Sequence, residues 1–348
     1  MIFTGDVVFP NSFSKDIILQ LDTEFIDTPK IVNSESLIDL GDTKISNKKT
    51  TDGIALLSNQ EIIKFYKSLN VVGVSLANNH ITDFDISIDK QVFYYAKNKI
   101  KSFGAGDNLA KAELPFINDN YVILSYGWEV ISCVLAGKFK KGVNPLKESQ
   151  IFSQINIFKE KYPTKKIILI FHWDYEFELY PQPAHRKLAF DLIDYGVDAI
   201  FGHHSHVVQG AEIYKNKPIF YGLGNFYFPN QNYNGFNIDF PPLSQTGLSV
   251  KYNDEKEVVL FWTYKDDTNN LISIAKEKLS ESTRMKALTP FDGFSHKEYI
   301  IWFGKNRKKN KLLPIFKNYK NTFNNILKEK FIHLRQKGIN CLVKLNVK

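Results

Sequence analysis

Four short apolar runs in this chain each stop at residues that bind metals or move protons. The clearest is Asp198 to Phe201, closed by Gly202 and followed by His203, His204 and His206. An apolar run that stops at glycine reads as a buried strand leaving the core. Val71 to Ala77 closes in Asn78-Asn79-His80. Lys166 to Phe171 closes in His172-Trp173-Asp174, and Met1 to Thr4 runs into Gly5-Asp6. In open α/β sheets, ligands bind outside the carboxyl ends of the strands. Four strand ends that deliver Asp, Asn or His therefore read as one assembled site. Imidazoles suit divalent transition metals. Residues two apart in an extended segment share a side, so His204 and His206 are expected to converge, while His203 points elsewhere or orients a neighbour. A histidine-rich surface loop is the alternative, but three of the eight histidines stand within four positions at the end of a buried strand.

Between these runs, helix and strand patterns alternate, which predicts an α/β fold with a mostly parallel sheet. Residues 2–9 read as the first strand. Ser58 to Leu69 reads as a helix, with Ser58 as cap and Glu61 three residues on. Ile86 to Lys99, Gln150 to Lys161 and Ala184 to Tyr195 read as further helices. Strands are expected at 100–103, 121–126, 130–135, 212–218 and 219–228, with a closing hairpin from 248–252 and 258–264. Residues 41–53 and 229–243 read as surface loops. Gly104-Ala-Gly-Asp107 is a turn that suits either a phosphate or a glycine at positive φ.

At 348 residues the chain suits one large domain, or one domain with an appendage. No run approaches the ~20 apolar residues needed to span a bilayer. Neither a basic n-region nor an apolar h-region opens the chain, so a cytoplasmic protein is expected. Cys133 and Cys341 are the only cysteines, which excludes a disulfide framework and a Cys-based zinc site. The net charge of +8 is uneven: residues 301–348 hold 13 Lys and Arg against one acidic residue, Glu329, and the rest is net −4. The expected division is therefore 1–268 as the site-bearing domain and 269–348 as a basic, largely helical extension. Phe316 to Leu334 reads as a helix with an apolar stripe of Phe323, Ile326, Leu327, Phe331 and Leu334. That stripe suits docking on the body, on a synthesis complex, or on an anionic membrane at the inner face. No nucleic-acid motif accompanies it, so nucleic acid is not an expected partner.

Carboxylate, amide oxygen and imidazole together hold divalent ions that polarise phosphoryl oxygens. Asp6 and Glu35 are the carboxylates available, and a carboxylate can bridge a pair of ions. On its local sequence alone Glu35, two residues after Asn33, reads as an ordinary solvated glutamate. Asn79 offers an amide oxygen, and His172, His204 and His206 offer imidazoles. His80 is then left to donate a proton as a general acid.

The chain resembles the CapA family of capsule or poly-γ-glutamate biosynthesis proteins. The resemblance rests on Phe3-Thr-Gly-Asp6, Val32-Asn-Ser-Glu35, Val74-Ser-Leu-Ala-Asn-Asn-His80, Phe103-Gly-Ala-Gly106, Phe171-His-Trp173 with Glu176, Gly202-His-His-Ser-His-Val-Val-Gln209 and Tyr221-Gly-Leu-Gly-Asn-Phe226. It implies a calcineurin-like metallophosphoesterase sandwich, with mostly parallel central sheets flanked by helices. It implies two divalent ions, of Mn, Zn, Fe or Mg, on Asp6, Glu35, Asn79, His172, His204 and His206. His80, Glu35 and Glu176 would be catalytic, and Asn33, Asn78, Gly106, Trp173 and Asn225 would contact substrate. The implied function is a metal-dependent hydrolase, a phosphoesterase or related transferase, acting on a phosphorylated or polymeric surface-polymer intermediate. The alternative is an accessory, non-hydrolytic subunit of a poly-γ-glutamate or polysaccharide synthesis complex. Asp85, Asp174 and Ser205 stand where the family usually has Gly, Gly and Pro, and Ser34 departs from its usual Asn-Leu-Glu. Asp174 is expected to add negative charge near the ions or to tune His172.

Overall fold

The structure is a computed structural model that describes residues 1–348 except 13, 19, 42–43, 46–53, 234, 254–256, 308–311, 321 and 345–348. Most of the loop expected at 41–53 lies outside the described residues, as does part of the turn at Asn253-Asp254.

Strand β1 (Ile2–Val7) is buried at every residue. A strand that is apolar on both faces belongs in the middle of a covered sheet. It pairs in parallel with β2 (Lys30–Ser34), which continues in parallel to β3 (Val71–Ser75) and β4 (Lys101–Phe103). The chain then builds a second sheet from β5 (Phe116–Ile117), β6 (Tyr121–Gly127), β7 (Lys166–His172), β8 (Ala199–His203), β9 (Ala211–Tyr214) and β10 (Lys217–Phe220). Its centre, β6-β7-β8-β10, is parallel, and β5 and β9 are antiparallel edges. The chain returns to the first sheet with β11 (Asn225–Tyr227), parallel to β1. β12 (Thr246–Lys251), β13 (Val259–Lys265) and β14 (Leu271–Lys278) complete that sheet as an antiparallel flank. The boundary expected after residue 268 falls between β13 and β14, which pair in the same sheet.

The two sheets face each other through one apolar layer. Phe3 and Ile31 from the first meet Ile123, Ile168, Ile170 and Phe201 from the second. Phe3 stacks on Phe201 with ring centroids 4.1 Å apart. Helices α1 (Ile62–Ser68), α2 (Ile88–Lys97), α3 (Glu148–Lys161) and α4 (Pro183–Asp194) bury their apolar stripes on the outer faces. The result is a mixed α/β sandwich with parallel sheet centres flanked by helices.

Several expected elements differ. Ser58 does not cap α1: it is paired with Ile38, its Oγ accepts from Phe9 N at 2.8 Å, and the helix starts at Ile62. Residues 130–135 are not a strand. A 3-10 turn covers Glu129–Ile131, and Ser132 follows at φ 71°. The run 219–228 is two strands in different sheets, because Gly224 turns the chain at φ 67° and carries it across the sandwich. The loop expected at 229–243 contains a hairpin, Gln231–Tyr233 with Phe236–Ile238.

After β14 come α5 (Thr283–Leu288), α6 (His296–Asn306) and α7 (Phe323–Lys344). Phe316 precedes the helix predicted to contain it. It is buried in an extended segment, where Ala184 N donates to its carbonyl and its own N donates to Gln182 Oε1. Tyr299 and Phe303 of α6 join the main core. The stripe on α7 is exposed, with Phe323 at 74% and Leu334 at 68%. No described helix is long and apolar enough to cross a membrane.

Arg307, just past α6, forms a buried ion pair with Glu178 and donates to Leu313 O at 2.9 Å. Burial pushes the Glu178 carboxyl up to about 7, against the pull of Arg307. Losing one partner of a buried pair costs about 3–5 kcal/mol, because the other charge stays buried. Arg307→Ala is expected to cost that much at pH 8. At pH 5, below the folded value, Glu178 is protonated in the fold, so the cost should shrink. Urea unfolding of wild type and variant at both pH values checks this. An equal loss at both would contradict the pairing account.

Candidate metal centre

Asp6, near the end of β1, stands in register with Asn33 on β2 and Asn225 on β11. The second sheet places His172 in register with His203. Both sheets therefore present their carboxyl ends to one place. Two glycines allow the strands to close there. A Cβ at Gly5 would collide with the Gly224 carbonyl, and one at Gly202 with the Tyr221 carbonyl and the Trp173 indole.

Asn33 Nδ2 donates to Asp6 Oδ1 at 2.8 Å, and His203 Nδ1 lies 2.9 Å from the same oxygen. His203 is thus the orienting histidine. His204 and His206 do converge, but not through strand alternation. Both lie beyond β8 with positive φ, 87° and 54°, in a tight turn whose His204 N donates to Asp6 Oδ2. Positive φ is costly for residues with a Cβ and clusters at functional sites. His206 Nδ1 lies 2.9 Å from Asn225 Oδ1, and His172 Nε2 lies 2.9 Å from Asn79 Oδ1.

Glu35 leaves β2 with its N bonded to Val7 O and is completely buried. Two groups of donor atoms each fall within 4.8 Å of one another: Asp6, Glu35 and His206, and Glu35, His172 and His204. Glu35 belongs to both. Neither of its carboxylate oxygens has a hydrogen-bond partner, and His204 Nδ1 and Asn33 Oδ1 are likewise unpartnered. Orphaned buried acceptors of this kind are expensive without a cation. The residues therefore fit divalent metal, with mixed carboxylate and imidazole donors.

The candidate ligands fall into two electrostatic groups. Burial pushes the Glu35 carboxyl well above its ordinary range, and the Asp6 charge adds to this. Burial works against the Asp6 charge too, but hydrogen bonds with His203 and His206 hold its carboxyl well below the usual range. Burial, helped by the neighbouring histidines and opposed by the Asp6 charge, holds His172 and His204 well down, which keeps both imidazoles neutral and ready as ligands. His206 resists burial through the Glu35 and Asp6 carboxylates and is pushed up to about 10.

A cavity of about 480 Å³ opens above this cluster, lined by Asn79, His80, Glu176, His204, His206 and Arg335 among others. His80 Nδ1 lies 2.7 Å from Asp83 Oδ2, which also accepts from Leu56 N. Other expected substrate residues sit behind the wall. Asn78 is buried, donates to Ser34 O and accepts from His80 N. Trp173 is fully buried between the rings of Phe171 and His185, and donates to Tyr221 O. Asn33 and Asn225 contact ligand candidates, as above. Gly106 pairs with Gly142 in a two-stranded ladder and does not line the cavity. The expected effect of Asp174 on His172 is corrected: its Oδ1 accepts from Gln182 N and lies 2.6 Å from His185 Nδ1. Asp85 is exposed and pairs with Lys141.

Sequence reasoning passed over Asp83 and Arg335. The i, i+3 spacing of His80 and Asp83 could have flagged the first. No local signal marks the second.

An α/β sandwich with carboxylates and imidazoles gathered at the carboxyl ends of both sheets defines a metallophosphoesterase-like fold with a candidate metal centre. Residues 2–230 match the family described as "Bacterial capsule synthesis protein PGA_cap", and the chain belongs to this CapA family. It is 28% identical over 246 residues to the capsule biosynthesis protein CapA of Bacillus anthracis, covering 66% of this chain and 59% of that protein. It is 33% identical over 187 residues to the PGA biosynthesis protein CapA of Bacillus subtilis, covering 52% of this chain and 49% of the relative. A Mycobacterium tuberculosis relative named "Probable polyglutamine synthesis accessory protein" is 30% identical over 167 residues, 43% of each chain. The chain thus spans about half the length of the curated relatives it matches.

Proposed function

We propose that this chain is a metal-dependent hydrolase of the phosphoesterase type that acts on an intermediate of capsule or other surface-polymer synthesis. One observation carries the reading: Glu35 is buried, shared by both donor groups, and has neither oxygen hydrogen-bonded, with the His172 and His206 rings 3.4 and 3.8 Å from Oε1. Asp6, Glu35 and His206 would hold one divalent ion, and Glu35, His172 and His204 a second, with Asn79 beside His172. Such ions supply Lewis acidity toward a phosphoryl oxygen and toward water. The chain's own residues do the rest. Asn33 and His203 fix the Asp6 carboxylate, and Asn225 fixes the His206 ring. Orienting partners of this kind typically matter about 10- to 100-fold in metal affinity or activity. The rings of Phe177, Phe228 and Phe240 surround His206 and exclude water from that side. His80 holds a proton at the cavity wall, with Asp83 setting its tautomer. Glu176 stands at the mouth as a second acid–base group.

The reading is tested by loading the protein with Mn, Zn, Fe or Mg and measuring hydrolysis of a generic phosphate ester. Turnover that appears with metal and vanishes with chelator supports it. A fully loaded protein without turnover would instead favour an accessory role in poly-γ-glutamate or polysaccharide synthesis, which the name of the Mycobacterium relative supports. The exposed apolar stripe of α7, with Lys330 and Lys337 beside it, supports peripheral attachment to a synthesis complex or an anionic surface.

A further inference from the structure

The cavity over the metal-type cluster is closed on one side by α7. This helix lies beyond the region that matches the family, which ends at residue 230. Its outer face is the exposed stripe, so the stripe does not dock on the body. The inner face does: Asn325 is buried and donates to Asn318 O at 2.7 Å and to Lys320 O at 2.9 Å. Lys328 Nζ sits 5.4 Å above the ring of Phe316, and Ile332 packs on the main core. One turn further along the same face, Arg335 and Gln336 reach the cavity wall with Ile332.

Arg335 differs from the other cavity residues. It is the single Lys or Arg among the described lining residues, and the ionisable groups that line the cavity with it are His80, Tyr175, Glu176, His204, His206 and Asp239. It is half-buried. Among the described residues it makes no ion pair and no hydrogen bond. Elsewhere in the chain the two buried arginines are engaged, Arg186 by Glu212 and Arg307 by Glu178. A guanidinium presents a planar fork of donors that matches carboxylate or phosphate oxygens. Held by a docked helix beside a cavity and left unpaired, it is placed for an anion that comes from outside.

We infer that Arg335 is a specificity residue: it binds an anionic group of the substrate, a carboxylate or a phosphate, carried away from the reacting centre. This rests on the reading of the cavity as a substrate site, but not on hydrolysis taking place there. α7 then has a second consequence. A segment outside the family region decides which substrates the family site accepts.

The test is calorimetric titration of the full chain with inorganic phosphate and, separately, with a γ-linked glutamate oligomer. Both probes are run on manganese-loaded and on metal-free protein, for wild type, Arg335→Gln and Arg335→Lys. Charge-assisted hydrogen bonds of this kind are worth about a 10- to 100-fold change in affinity. Arg335→Gln should weaken at least one probe by that factor, with metal content and thermal midpoint unchanged, and Arg335→Lys should recover part of the loss. Weakening confined to phosphate assigns the group as phosphate, and weakening confined to the oligomer assigns it as carboxylate. Arginine-dependent binding to protein that takes up no metal would uphold the inference while sinking the metal reading. No binding of either probe to wild type, or equal affinity in wild type and Arg335→Gln, would overturn it.

Discussion

His80→Asn is expected to slow ester hydrolysis by about 100- to 10,000-fold, the range typical of a lost general acid. Metal content should not change, because His80 belongs to neither donor group. The argument is geometric. His80 lines the cavity, and its Nδ1 is engaged by Asp83 Oδ2 at 2.7 Å. That engagement leaves Nε2 as the nitrogen that exchanges a proton with a leaving oxygen. Asparagine occupies similar space near Nδ1 but cannot carry the proton. The loss should therefore shrink for esters whose leaving group departs without protonation. A comparison of nitrophenyl and alkyl esters measures this. An equal loss with both would mean that His80 only holds Asp83 and the loop around it.

Glu35→Gln should move metal affinity and stability in opposite directions. The carboxylate is buried, shared by both donor groups and not hydrogen-bonded. Removing its charge should weaken metal binding by more than the about 10- to 100-fold typical of orienting partners. In metal-free protein the same change removes a charge that burial and the Asp6 carboxylate both disfavour, while keeping the side chain's volume. The sign with pH follows from the raised carboxyl. A folded-state value above the unfolded one gives stability that is present below the usual glutamate range and is lost as pH rises. Metal-free wild type should therefore lose stability with rising pH, and Glu35→Gln should lose less. Chelator-treated protein unfolded in urea at pH 5 and pH 8 provides the measurement. A variant that is less stable than wild type at pH 8, or that keeps wild-type affinity for metal, would contradict the role of Glu35 as a ligand common to both groups.

The strand-end pattern was the legible part of this site. Asp6, His172 and the histidines after β8 could be placed because apolar runs announce buried strands and their ends. Strand alternation predicts the convergence of His204 and His206, but two positive φ values bring them together instead. Glu35 was not legible locally: nothing near it says that β2 lies beside β1, and pairing across the sheet is what buries it. The same holds for Ser58, whose hydroxyl was claimed by Phe9 N, a partner 49 residues away, before it could cap a helix. Residues 130–135 have the apolar content of a strand, but they are spent on the cavity wall and the core beside Trp128. Arg335 was legible only as part of a basic tail. Its placement depends on Asn325 and Ile332 docking α7, and charge counts do not reveal which face of a helix turns inward.

The most direct test of the metal centre is metal analysis of the purified full chain beside the double variant His204→Ala, His206→Ala. Each substitution removes one imidazole from a different donor group, so neither group stays intact. Wild type is expected to hold divalent metal in stoichiometric amount, and the folded double variant to hold none. Undiminished metal in the double variant would contradict the account.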